Sequence, residues 1–159
     1  MTVTPAGELR DRVDRYLRAH HTMTLATAEG AAPHAASVFY AVDDALRLIF
    51  LSKPTSTHGV HIGSGARVAV TVTEQYEDWE SIQGVQLWGT ARRLRGVAKT
   101  AAMAVYLRRF PFVRDLMNQP RLADAVRAIA VYRVEPERAA FTDNTTGVFG
   151  REVLDLKSL

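Results

Sequence analysis

The chain has no cysteine among its 159 residues. That excludes disulfides, thiolate metal centres and cysteine nucleophiles, and it matches a reducing, cytoplasmic setting. Long apolar runs are also missing. No stretch approaches the ~20 residues that cross a bilayer, and the first residues lack the basic-then-apolar signature of a secretory signal. Basic blocks interleaved with aromatics do not occur. Arg92-Arg93-Leu94-Arg95 and Arg108-Arg109 are the densest clusters, and they read as solvated strand ends or helix faces. With a net charge of only +3, the composition gives no nucleic-acid footprint. The expectation is a soluble cytoplasmic protein with neither a membrane nor a nucleic-acid partner. What is present is an apolar fraction of 47%, enough to build the core of one ordinary domain.

Leu9, Val13, Tyr16 and Leu17 recur at helical spacing after Thr4-Pro5, predicting an amphipathic helix over about 5–19. Strands follow over 22–28, 34–42 and 46–52, separated by the turn signals Glu29-Gly30 and Asp43-Asp44. Val68, Val70 and Val72 alternate with Ala69, Thr71 and Thr73, the pattern of a half-buried strand. A long strand over 81–94 contains Gly84 and Gly89, which predict bulges or close backbone approach. A helix over 98–109 ends at Pro111, and a second short helical piece lies near 122–127. Two further strands are expected at 129–134 and 138–142, before a turn at 143–147 and a half-apolar tail over 148–156. Six or so antiparallel strands with three or more helices make a small barrel or α+β domain.

Between the third strand and the next element lies Leu51-Ser52-Lys53-Pro54-Thr55-Ser56-Thr57-His58-Gly59. Hydroxyls, backbone N–H groups and positive charge meet there, which suits a phosphate monoester; equally, the Ser and Thr residues suit a plain helix cap. His58 and His61 have the i, i+3 spacing of metal ligands. No acidic partner or third histidine lies near them in sequence, so no metal is assigned. Gln86 and Trp88 share a strand face with Gly84. They line a ring pocket, or Trp88 is core or interface mass. Trp79 and Tyr76 cap a cleft or rest on the surface.

The succession Thr24-Leu25-Ala26-Thr27, Ser37-Val38-Phe39-Tyr40, Phe50-Leu51-Ser52 and Gly84-Val85-Gln86-Leu87-Trp88-Gly89 resembles the pyridoxamine 5'-phosphate oxidase-like, FMN-binding split-barrel family. The resemblance is good over about residues 20–95 and looser in the C-terminal third. It implies an α+β fold, a six-stranded antiparallel split β-barrel with flanking helices. This would be one domain over 1–159: helix about 5–19, barrel about 22–142, tail 143–159. It further implies FMN in a cleft between the subunits of a homodimer, with cofactor-binding positions at Ser37, Val38, Leu51, Ser52, Lys53, Thr57, His58, Gln86 and Trp88. The strand of Ser37 and Val38 offers backbone hydrogen bonds, and Ser52, Thr57 and His58 match phosphate positions. Thr57 and His58 stand where the oxidase pattern carries arginine and lysine, and Ala35 and Tyr40 replace further basic residues. The phosphate then rests on Ser52, Lys53, Thr57 and His58 together.

The tail Asp143-Asn144-Thr145-Thr146-Gly147-Val148-Phe149-Gly150-Arg151 lacks the arginine–histidine arrangement of true pyridoxamine phosphate oxidases and looks like that of short-tailed relatives. Asn144, Phe149 and Arg151 either form a structural turn or reach the partner subunit's cleft. The implied activity is FMN-dependent hydride or electron transfer to a small-molecule acceptor. Two alternatives stand beside it: a non-catalytic carrier of flavin, deazaflavin or haem, and a cofactor-free dimer with a vestigial cleft.

Overall fold

The computed structural model describes residues 4–147 and 149–158; Val148, counted in the expected apolar tail, lies outside them. Helix α1 (Ala6–Ala19) precedes strands β1 (Thr22–Glu29), β2 (Ala32–Val42) and β3 (Leu48–Ser52). The short helix α2 (Thr57–Ile62) leads into β4 (Ala66–Thr73) and β5 (Gln83–Arg93). Helices α3 (Gly96–Arg109), α4 (Phe112–Met117) and α5 (Ala123–Arg127) fill the connection to β6 (Ala130–Asp143), and β7 (Arg151–Asp155) follows.

Every pairing is antiparallel. The order is β3-β2-β1-β4-β5-β6-β7, and β3 also pairs with β6. Six strands therefore close a ring, the expected α+β split barrel, and β7 extends it from the edge of β6. Period-two alternation fills the interior: Met23, Leu25, Val68, Val70, Val72, Val85 and Leu87 all point inward and are buried. Helix α1 adds Leu9, Val13, Tyr16 and Leu17 to that core. A second cluster lies outside the ring, where Ala41, Ile49 and Val131 are covered by Ala102, Tyr106 and Phe110. Side chains thus fill the barrel, which leaves space for a ligand on its walls rather than within it.

Two expectations change. The strands expected at 129–134 and 138–142 are one strand, β6. Pro136, which reads as a breaker, sits opposite Gly89 where the β5–β6 register shifts. A bulge tolerates a residue without an N–H. The half-apolar tail contributes a strand because Leu154 points inward and is buried, while Arg151, Val153 and Asp155 face out. No helix among the described residues is long and apolar enough to cross a membrane.

Candidate functional site

Strand β2 pairs with β3 only through Tyr40–Val42, opposite Phe50–Leu48. Beyond Phe50, β3 continues beside β6 as far as Ser52, opposite Ala130. The two strands therefore part at Phe39 and Leu51. The Tyr40 N–H donates to the His21 carbonyl (2.9 Å), which puts the even-numbered residues of β2 into the β1 ladder. By alternation the N–H and C=O groups of Ala35 and Ser37 turn to the opposite edge of β2, beyond the residues that pair with β3. This open backbone edge is one wall of the gap.

The hydroxyl-rich turn forms the other wall. Ser56 caps α2, accepting from the Gly59 N–H (3.1 Å), and it donates its one hydroxyl proton to the Lys53 carbonyl (2.8 Å). The Ser52 and Ser56 hydroxyls are 3.1 Å apart, and Ser52 Oγ is 2.6 Å from His58 Nε2. With the Ser56 proton already used, Ser52 must donate to Ser56 and accept from His58. Neutral His58 is thereby fixed as the Nε2–H tautomer, and Nδ1 is left to accept a proton. Lys53 and Thr57 are exposed beside this knot, whereas His58 is buried.

Folding supplies the third histidine that local spacing does not show. His34 on β2 stacks on His58, with ring centroids 5.9 Å apart, and meets His61 edge-on at 6.0 Å. His61 Nδ1 is 2.9 Å from the Thr27 hydroxyl, and its Nε2 is 3.9 Å from a Glu29 carboxylate oxygen. Burial, reinforced by His34 and His61, holds the His58 pKa below its ordinary 6.5. Among the described residues, no group of three or more histidines or carboxylates has the arrangement of a metal site.

The sequence-derived residues fall into separate sets. Ser37, Ser52, Lys53, Thr57 and His58 surround the gap between β2 and β3. Val38 and Leu51 instead send their side chains towards the two apolar clusters. Gln86 and Trp88 lie on the outer face of the sheet, where they line a groove of ≈ 230 Å³ with Thr24, Ala26, Ala69 and Thr71. The β1–β2 hairpin connects the two regions. Thr27 and His34, paired across it, serve the histidine cluster, and the adjoining pair Ala26 and Ala35 has the outward parity of the groove. The Arg138 guanidinium lies 4.4 Å from the Trp88 ring centroid, and that of Arg151 lies 5.9 Å away.

The remaining candidates serve the loops. The Tyr76 hydroxyl meets that of Tyr16 at 3.0 Å, fastening the acidic loop to α1. The Asn144 side chain donates to the Trp79 carbonyl (2.7 Å), and Phe149 stacks on the Trp79 ring at 6.4 Å. Sequence reasoning missed His34 and Thr27, whose only signal was their inward parity on a hairpin next to a histidine-bearing helix.

Comparison with known proteins follows from this geometry. A family model described as pyridoxamine 5'-phosphate oxidase matches residues 9–143. A UPF0306 protein of Klebsiella pneumoniae subsp. pneumoniae is 32% identical over 142 residues, covering 89% of this chain and 88% of that protein. Among solved structures, a heme binding protein from Mycobacterium smegmatis superposes with a TM-score of 0.68 at 18% identity, covering 99% of this chain and 61% of the other. A FAD-binding protein from Mesorhizobium loti gives 0.63 at 19% identity, covering 82% and 91%. At these identities the structural likeness establishes the fold.

Proposed function

The chain belongs to the pyridoxamine 5'-phosphate oxidase family, and on that premise we propose that it is an FMN-dependent oxidoreductase. The observation that carries this reading is the gap between β2 and β3. It has an open backbone edge at Ala35 and Ser37 on one side and the Ser52–Ser56 hydroxyls, Lys53 and Thr57 on the other. A flavin phosphate needs hydroxyl donors and positive charge, and a flavin ring edge and ribityl chain need fixed amide donors and acceptors. The gap offers both. When bound, FMN supplies hydride and electron transfer, between a reduced nicotinamide and a small-molecule acceptor; the chain supplies binding, orientation and exclusion of water. No side-chain nucleophile or acid–base pair is required.

The groove lined by Gln86 and Trp88 completes the proposal. Its side chains are small apart from Gln86 and Trp88, so another sheet can approach closely over Thr24, Ala26, Ala69 and Thr71. We assign it to a second copy of this chain, which would wall the flavin from the partner side of a homodimer.

The test is the absorption spectrum of freshly purified protein, followed by titration of the apo form with FMN, riboflavin and deazaflavin. An oxidised-flavin spectrum bleached by a reduced nicotinamide is the expected result. Unchanged FMN affinity in a Lys53→Ala/His58→Ala double variant would refute the phosphate assignment. A second reading, a carrier of haem, flavin or deazaflavin without turnover, draws support from the haem-binding and FAD-binding proteins that share the fold. A bound chromophore that no nicotinamide reduces would favour it.

A further inference from the structure

Within the hydroxyl turn itself Lys53 alone carries permanent charge, with Arg93 and Arg95 lining a pocket on its Pro54 side, and a phosphate monoester carries about −1.5 to −2 near pH 7. Three imidazoles lie directly behind the hydroxyls, joined to them by the His58–Ser52 hydrogen bond. Resting on the phosphate-binding reading above, we propose that His34, His58 and His61 form a proton-accepting reservoir behind the phosphate site, and that binding of a phosphate dianion brings one proton into it at His58 Nδ1.

The hydrogen-bond assignment gives the route. His58 Nε2–H already donates to Ser52 Oγ, so the incoming proton has Nδ1 as its only vacant position on that ring. Ser52 then turns its hydroxyl proton from Ser56 to the ligand, and the imidazolium strengthens that donor from behind. No covalent bond forms or breaks; the proton comes from solvent. Before binding, burial and the neighbouring imidazoles hold His58 neutral. The anion reverses the balance, because an opposite charge nearby favours the protonated ring.

The groups facing the cluster come from every side. His34 lies on β2, and Thr27 and Glu29 on β1, with Glu29 beside His61. Lys53 precedes α2, while Arg93, the last residue of β5, and Arg95, just before α3, line a pocket with Gly59 and Val60 of α2 and Gly63 at its end. His34 and His61 thus act as positioning residues: His34 stacks on His58, His61 meets His34 edge-on, and both set how readily His58 charges.

The experiment is calorimetric titration of the apo protein with FMN, and separately with inorganic phosphate, between pH 7 and 8.5, in two buffers of different ionisation enthalpy. This range lies above the ligand's own second pKa of about 6. Uptake of one proton predicts a buffer-dependent enthalpy and a dissociation constant that rises about tenfold per pH unit. His58→Gln should abolish the pH slope, whereas His34→Gln, which removes a neighbour that disfavours the charged His58 ring, should shift its onset to higher pH with the slope intact. Circular dichroism establishes that each variant is folded. FMN binding with a flat pH profile and buffer-independent enthalpy overturns the reservoir and leaves the flavin reading standing. Proton-linked binding of inorganic phosphate without FMN binding does the reverse. Binding of neither ligand overturns both.

Discussion

Gly89 lies against the Glu135 backbone so closely that a β-carbon at residue 89 would overlap the Glu135 carbonyl. The contact sits at the β5–β6 register shift, where a long strand bends around the barrel. Gly89→Ala should therefore lower stability by about 3 kcal/mol, the upper end of the overpacking range, because backbone cannot yield as a side chain can. Gly84→Ala, whose β-carbon would meet nothing nearer than 3.4 Å, should change it by less than about 1 kcal/mol. Urea midpoints of the two variants decide between them.

Stability should decline on mild acidification. The folded-state pKa of His58 is below 6.5, so the unfolded chain binds that proton more readily. The contribution is fully present above about pH 6.5 and is lost as pH falls from there through the folded value. Thermal melts from pH 8 to 5 should show this decline, and His58→Gln should flatten part of it. An identical profile in the variant would count against the assignment.

Proline at residue 37 separates fold from ligand. The Ser37 N–H faces the open edge of β2 and serves no ladder bond, so Ser37→Pro should leave the barrel intact. It removes one amide donor from the gap and should weaken FMN binding about tenfold, the equivalent of one hydrogen bond worth ~1.4 kcal/mol. A fluorescence titration beside a melting curve checks both halves. Unchanged affinity would show that the flavin does not use this edge.

A charge in the outer groove should split the proposed dimer. Ala69 lies between Ala26 and Trp88 on adjoining strands, on the face assigned to a second copy. Burying a lone carboxylate there is costly, so Ala69→Glu should convert a dimer of twice 17.6 kDa into a folded monomer. Sedimentation velocity gives the answer directly, and a wild-type monomer would already refute the assignment.

Local patterns made much of this molecule legible. The apolar residues of α1 at helical spacing and the alternation at Val68, Val70 and Val72 each gave the correct element, and Gly89 marked a close backbone approach, whereas Gly84 lies in regular register. Pro136 misled because a bulge, invisible without the partner strand, relieved it of its donor. The resemblance located Ser52 and His58, and the fold brought them into contact. His34 lies on another hairpin, and its place beside His58 depends on register between β1, β2 and α2, which composition and spacing do not encode. The open edge of β2 was hidden for the same reason: it exists only because β3 leaves for a strand near the other end of the chain.

That departure also bears on how the molecule assembles. The β1–β2 and β4–β5 pairings join segments close in sequence, whereas Leu48 must find Val134 across most of the chain. Long-range strand pairing carries the larger loop-closure entropy and forms late. The gap beside Ser52, the proposed FMN site, is created by that same closure, so it is complete only once this long-range pairing has formed. A molecule held there grips both sides of the seam, and the free energy of its binding works as a clasp on the slowest-made contact of the ring.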